Sequence, residues 1–263
     1  MVARNITTLY PKILAPFMPI LNTHRNPTIL YRVLYWIAHG GLSTRSDIAM
    51  AIGLNMSTSQ AKNISIQRVA RACTALAKDN LIEQNSIRFW RMKLFMLRLT
   101  DHGRKYCQDS YPWKVRQSDW DKLYKRHNGH VYREHSAAVL NFAYHARLRG
   151  WNTTVMPYIL DTFAEPDLAL SQKKENTFVE IEMRGWRAKT KQKKWQQQIT
   201  LQGRAAVCLL TSESAYNVFI RFEELGYLEY AVTSLEYLQN TAYNDKKNRL
   251  WEFTTEDPHH GTR

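Results

Sequence analysis

The chain has 263 residues, enough to bury the core of one large domain or two small ones, and 44% hydrophobic content with interspersed charges excludes a disordered chain. Lys and Arg total 37 against 23 Asp and Glu, a formal charge of +14 that favours a polyanionic partner, nucleic acid first. Cys73, Cys107 and Cys208 make no CxxC pair and no disulfide framework. The early apolar run ILAPFMPIL is cut by Pro16 and Pro19, so neither a membrane span nor a signal peptide is expected.

Residues 1–27 read as an N-terminal arm. From there, PTILYRVLYWIAHGG carries Ile29, Leu30, Val33, Leu34 and Ile37 at helical spacing and stops at Gly40-Gly41. STRSDIAMAIGL follows as a short helix, with Ser46 as N-cap and Gly53 as stop. QAKNISIQRVARACTALAKDN is a longer third helix whose inner stripe is Ile66, Val69, Cys73 and Leu76. LIEQNSIRFWRMKLFMLRLT has strand-like content on either side of the turn formers Asn85 and Ser86, and LTDHG closes the segment.

Three helices and a two-stranded wing, ended by a Leu-Thr-x-x-Gly turn, resemble a winged helix-turn-helix domain over residues 28–103. That resemblance implies a third helix lying in the DNA major groove and a wing touching the backbone or the minor groove. Lys62, Gln67, Arg68, Arg71 and Lys78 lie off the apolar stripe of that helix, and Arg88, Arg91 and Lys93 lie along the wing. Arg and Gln read base edges while Lys meets phosphates, so this set is the candidate DNA surface, although a solvated helix face explains each residue alone.

Residues 104–128 read as a linker, partly helical and rich in aromatics and cations. The pattern then changes. HVYREHSAAVLNFAYHARLRG is an amphipathic helix; WNTTVMPYIL, EPDLAL and TFVEIEM are strands; KTKQKKWQQQITLQG is a polar helix; AAVCLLT is a buried strand; and SAYNVFIRFEELG is a trailing helix. Residues 129–240 thus form an α/β domain of α-β-β-β-α-β order, and 241–263 a tail. His127, His130, His135 and His145 crowd one region without a zinc-ligand spacing.

Acids interrupt the second and third strands. With the turn at QKKEN, residues 172–176, Asp167 stands opposite Glu180, and Glu182 shares the face of Glu180. Three carboxylates beside a buried sheet call for a cation, and a hard divalent ion is the natural one. The alternative is that Glu180 and Glu182 face solvent on an edge strand, paired with Arg184 or Lys173.

EPD followed by EIE in this frame resembles the PD-(D/E)XK nuclease superfamily over residues 130–222. The resemblance implies that Asp167, Glu180 and the backbone carbonyl of Ile181 hold Mg²⁺ or Mn²⁺, with Glu134 as a further acid from the preceding helix. The usual last Lys is Glu182 here. In other members that Lys sits on the following helix, where Lys189, Lys193 and Lys194 are available; Lys193 is placed with the catalytic set, and Lys189 and Lys194 with the DNA-binding set. RGWRAKTKQKKWQQQ flanks this site with cations and with Trp186 and Trp195.

The domain order, an α+β winged helix followed by a restriction-endonuclease-like α/β domain, also resembles replication-relaxation proteins of plasmids and mobile elements. Together these readings imply a cytoplasmic, nucleoid-associated protein that cuts double-stranded DNA with a carboxylate-held ion, and the two-fold habit of such domains suggests a homodimer. The alternative is a non-catalytic regulator or replication accessory protein that keeps the fold. An RNA-binding module fits less well, because no aromatic RNP-type motif or KH loop is present.

Overall fold

The computed structural model describes residues 26–90, 92–127, 131–159, 165–173, 175–183, 189–241 and 249–255. The chain divides into two compact units, Met1–Asn128 and Gly129–Arg263, each mixed in helix and strand. Among the described residues no helix is long and apolar enough to cross a membrane. Arg91, His130, Arg184 and Trp186 lie outside the described residues.

In the first unit, α1 (Pro27–Ala38) starts with Pro at its first position, where no amide hydrogen is needed, and buries Leu30, Val33, Leu34 and Ile37. Its expected Ile29 is only half-buried. Helix α2 (Arg45–Ala51) is capped by Thr44 and not by Ser46: the Thr44 hydroxyl accepts the Asp47 amide at 3.1 Å and donates to the Asp47 carboxylate at 2.8 Å. Gly53 ends this segment in the left-handed region, at φ 74°. Helix α3 (Ser59–Lys78) is capped by Thr58 and buries Ser65, Val69, Ala72, Cys73 and Leu76. Ile66 is half-buried, and Ser65 takes its place inside because its hydroxyl reaches the Asn55 carbonyl at 2.7 Å.

Strands β1 (Ile82–Phe89) and β2 (Met92–Leu99) pair antiparallel from Ile82↔Leu99 to Phe89↔Met92. The turn therefore begins at Trp90, at φ 49°, and not at Asn85-Ser86. A turn there would leave only three residues on the first strand; continuing to Phe89 adds the pairs Ile87↔Leu94 and Phe89↔Met92 and buries Ile87 and Phe89.

Thr100 and Gly103 do not close the segment with a turn. Thr100 caps α4 (Asp101–Ser110), and Gly103 sits in its first turn, where a Cβ would lie 1.8 Å from the Leu81 carbonyl oxygen. Beyond it, α5 (Asp119–Arg126) begins with a Ser118–Asp121 capping box. Trp120 is buried, and its amide donates to Ser43 Oγ at 2.7 Å. Arg98 lies 4.2 Å from the Tyr124 ring centroid. The segment read as a linker is thus part of the first unit, because its aromatics pack where a linker would leave them wet.

In the second unit, α6 (Arg133–Leu148) is buried continuously from Ser136 to Ala146, so it is a core helix and not an amphipathic one. The strands β3 (Asn152–Val155), β4 (Leu168–Gln172) and β5 (Glu175–Glu182) form an antiparallel meander. Helix α7 (Lys189–Gln202) then leads to β6 (Ala205–Leu209), parallel to β5. The expected α-β-β-β-α-β order of elements is present in residues 133–209. The strand WNTTVMPYIL is shorter than expected, only β3.

Helix α8 (Ser212–Glu224) is followed by β7 (Tyr230–Ser234), α9 (Leu235–Asn240) and β8 (Phe253–Thr254). The sheet order is β3-β4-β5-β6-β7-β8, with β7 parallel to β6 and β8 antiparallel to β7. The tail therefore contributes a strand, and β7, buried at every position, was not anticipated. Trp195, Val207, Leu209, Phe222, Val232 and Phe253 form the core on one sheet face. All three cysteines are buried and free.

Candidate metal centre and nucleic-acid surface

Asp167 immediately precedes β4, after Pro166. The register Leu168↔Val179, set by a two-residue connection with Lys173 at φ 54°, places Asp167 one step from β4 on the line that faces Glu180. Both carboxylates are buried, at 6% and 5% exposure. β5 lies inside the sheet, between β4 and β6, so the solvent-facing edge-strand reading is excluded for Glu180. Glu182 is half-buried on the same strand face as Glu180, while Ile181 between them is buried in the opposite direction.

The Asp167 carboxylate accepts the Ile181 amide at 2.8 Å through Oδ2. The same oxygen lies 3.2 Å from His135 Nε2, and that nitrogen lies 3.0 Å from the Ile181 carbonyl oxygen. Burial works against a charged His135 ring, yet the hydrogen bond and charge of Asp167, with the Ile181 carbonyl and Glu180, hold its pKa above the ordinary value. A proton on His135 thus bridges two of the oxygens expected to hold a metal.

Glu180 Oε2 lies 3.3 Å from Lys194 Nζ. Burial pushes the Glu180 carboxyl up to about 7, the Asp167 charge adds to this, Lys194 opposes it, and Glu182 adds a smaller push. For Lys194, burial pulls down, but Glu180 and Asp167 outweigh it and raise the ammonium. Burial first, and then the neighbouring acids, hold this carboxyl well above the usual carboxylate range, a perturbation of the kind that active and metal sites share with structural ion-pair networks. His135 and Asp167 also belong, by proximity of their donor atoms, to a group able to hold a metal ion. Carboxylate, carbonyl and imidazole donors together suit a divalent cation.

Two expected participants are placed elsewhere. Glu134 is exposed on the first turn of α6, and its neighbour His135 enters the site instead, in line with the buried Ala138, Val139 and Phe142. Lys193 is exposed on α7, and Lys194, expected to touch DNA, is the lysine that reaches Glu180. One helical position is 100°, which separates these neighbours completely. The Ile181 backbone faces the cluster, its amide donating to Asp167 and its carbonyl oxygen lying 3.0 Å from His135 Nε2. Lys189 lies on α7, but its side chain is outside the described residues. Trp195 is no stacking platform: it is fully buried against Phe222, with ring centroids 4.9 Å apart.

In the first unit, Gln67, Arg68, Arg71 and Lys78 are exposed on α3. Arg68 and Arg71 line a cleft of about 300 Å³ with Ile29 and Leu30 of α1. Lys62 is half-buried, and burial pulls its ammonium below the ordinary value, so it is the weakest member of the set. Arg88 and Lys93 are exposed and stand directly opposite one another in the hairpin. Like charges so placed destabilise a hairpin unless an anion lies between them. The chain matches no protein-family model, no curated protein and no solved structure.

Proposed function

We propose that this protein binds double-stranded DNA through its first unit and hydrolyses phosphodiester bonds at the carboxylate cluster of its second. The observation that carries the reading is the burial of Asp167 and Glu180 together, with Lys194 against Glu180. Two buried acids, one just before β4 and one on β5, are costly for folding alone, whereas the same set is what phosphoryl chemistry with a divalent ion requires. The α-β-β-β-α-β order supports the nuclease-like reading, and the three helices with a basic hairpin support the winged-helix reading.

In this reading Asp167, Glu180 and the Ile181 carbonyl would hold Mg²⁺ or Mn²⁺, which would supply positive charge to the scissile phosphate and acidify a water. Lys194, on the helix after β5, provides the ammonium that the motif lacks at Glu182, and it meets the charge that develops on the phosphate oxygens. Glu182 accepts the proton of the attacking water. Exposed α3 residues Gln67, Arg68 and Arg71 contact the duplex, with Arg88 and Lys93 on its backbone.

The second reading, DNA binding without cleavage, draws on one observation: His135 and Lys194 already partner the two buried acids. Supercoiled plasmid incubated with Mg²⁺ or Mn²⁺ separates the two. Nicking that disappears in Asp167→Ala and in Lys194→Met supports hydrolysis. Tight DNA binding, unchanged by chelator and by both substitutions and never accompanied by nicking, supports the second reading.

A further inference from the structure

We infer that His135 is itself a ligand of the ion, so that the centre selects a borderline transition ion of the Mn²⁺ type over Mg²⁺; this rests on reading Asp167 and Glu180 as a metal centre. His135 Nε2 lies 3.2 Å from Asp167 Oδ2 and 3.0 Å from the Ile181 carbonyl oxygen. Adjacent donors around an ion at about 2.1 Å are separated by roughly 3.0 Å in an octahedral and roughly 3.4 Å in a tetrahedral arrangement. The imidazole nitrogen therefore already stands at a ligand's spacing from both oxygens.

The surroundings keep it there. The helix that carries His135 is buried continuously from the next residue, Ser136, to Ala146, so the backbone has no room to withdraw. Ile181 is buried in the sheet, with its amide tied to Asp167 at 2.8 Å, so its carbonyl is equally fixed. An ion held by Asp167 and the Ile181 carbonyl would lie within reach of Nε2. An imidazole donor suits Mn²⁺, Co²⁺ or Zn²⁺, whereas Mg²⁺ takes oxygen ligands and keeps its waters.

A supporting role, in which His135 only hydrogen-bonds the true ligands, would weaken every ion alike when the ring is removed. The test is calorimetric titration of Mn²⁺ and of Mg²⁺ into the full chain without DNA, for wild type, His135→Ala and His135→Gln. It is combined with pulsed electron paramagnetic resonance of Mn²⁺ on wild type labelled with ¹⁵N-histidine. The expected result is tighter binding of Mn²⁺ than of Mg²⁺ by wild type. Both variants then lose about tenfold or more for Mn²⁺ and much less for Mg²⁺. A nitrogen coupling assigned to histidine appears in wild type, a readout that needs no variant to fold.

Absence of that coupling in Mn²⁺-loaded wild type, or equal weakening of both ions in the variants, overturns the assignment and leaves the metal-centre reading standing. Failure of wild type to bind either ion overturns both.

Discussion

Replacing Glu180 by Gln should stabilise the second unit, because the ionised side chain is a burden on the folded state. Its carboxyl is pushed from an ordinary 4.5 to about 7, first by burial and then by Asp167. Each pKa unit corresponds to about 1.4 kcal/mol, so ionised Glu180 costs the fold about 3 kcal/mol. The folded state holds this proton more tightly than the unfolded chain. Stability therefore falls as pH rises from about 4.5 through about 7, and the full penalty is present above that. Gln carries no charge at any pH. Lys194 loses its partner in the variant, but it is 56% exposed and returns to water at little cost.

The comparison is made by differential scanning calorimetry with chelator present. At alkaline pH the variant's transition should lie higher by several degrees, up to about 10 °C for a unit of this size. Near pH 5 wild-type Glu180 is protonated, and the difference should shrink towards zero. An equal or lower transition for Glu180→Gln at alkaline pH, or a gain that persists unchanged in acid, would refute the electrostatic account of the cluster.

Other expectations follow from single contacts. Gly103→Ala should destabilise the first unit by about 3 kcal/mol or more, since the new Cβ would meet backbone at Leu81; a denaturant midpoint close to wild type would contradict this. Arg68→Ala with Arg71→Ala should weaken DNA binding and lower the salt dependence of its logarithm by about 2, read by fluorescence anisotropy over a salt series. Unchanged affinity at moderate salt would remove α3 from the interface. Lys194→Met should abolish plasmid nicking and raise the Glu180 pKa further, which a shift of the variant's pH–stability midpoint would register.

Much of this architecture was legible because local chemistry and long-range packing agree. The opposition of Asp167 and Glu180 followed from strand periodicity and a short connection, and the register realises it. Where packing competed with local signals, the sequence misled. Asn85 and Ser86 are good turn formers, yet apolar pairs further along carried the hairpin past them. Residues 104–128 read as a linker despite their aromatics, but Trp120 and Tyr111 are core residues. The resemblance implies an acid on the preceding helix and so points to Glu134, whereas the stripe through Ala138, Val139 and Phe142 carries His135. Lys193 and Lys194 are told apart only by helix phase against Trp195 and Gln198, both buried. The closing strand β8 has two residues, too few for any periodicity to reveal.

The central claim is that the buried acids form a divalent-cation centre, and thermal unfolding with and without saturating Mn²⁺ tests it most directly, wild type beside Asp167→Ala. A ligand that binds only the folded chain raises its stability in proportion to the logarithm of its concentration over Kd. The account predicts a clear upward shift for wild type and none for the variant. No shift in wild type, or an equal shift in both proteins, would contradict it.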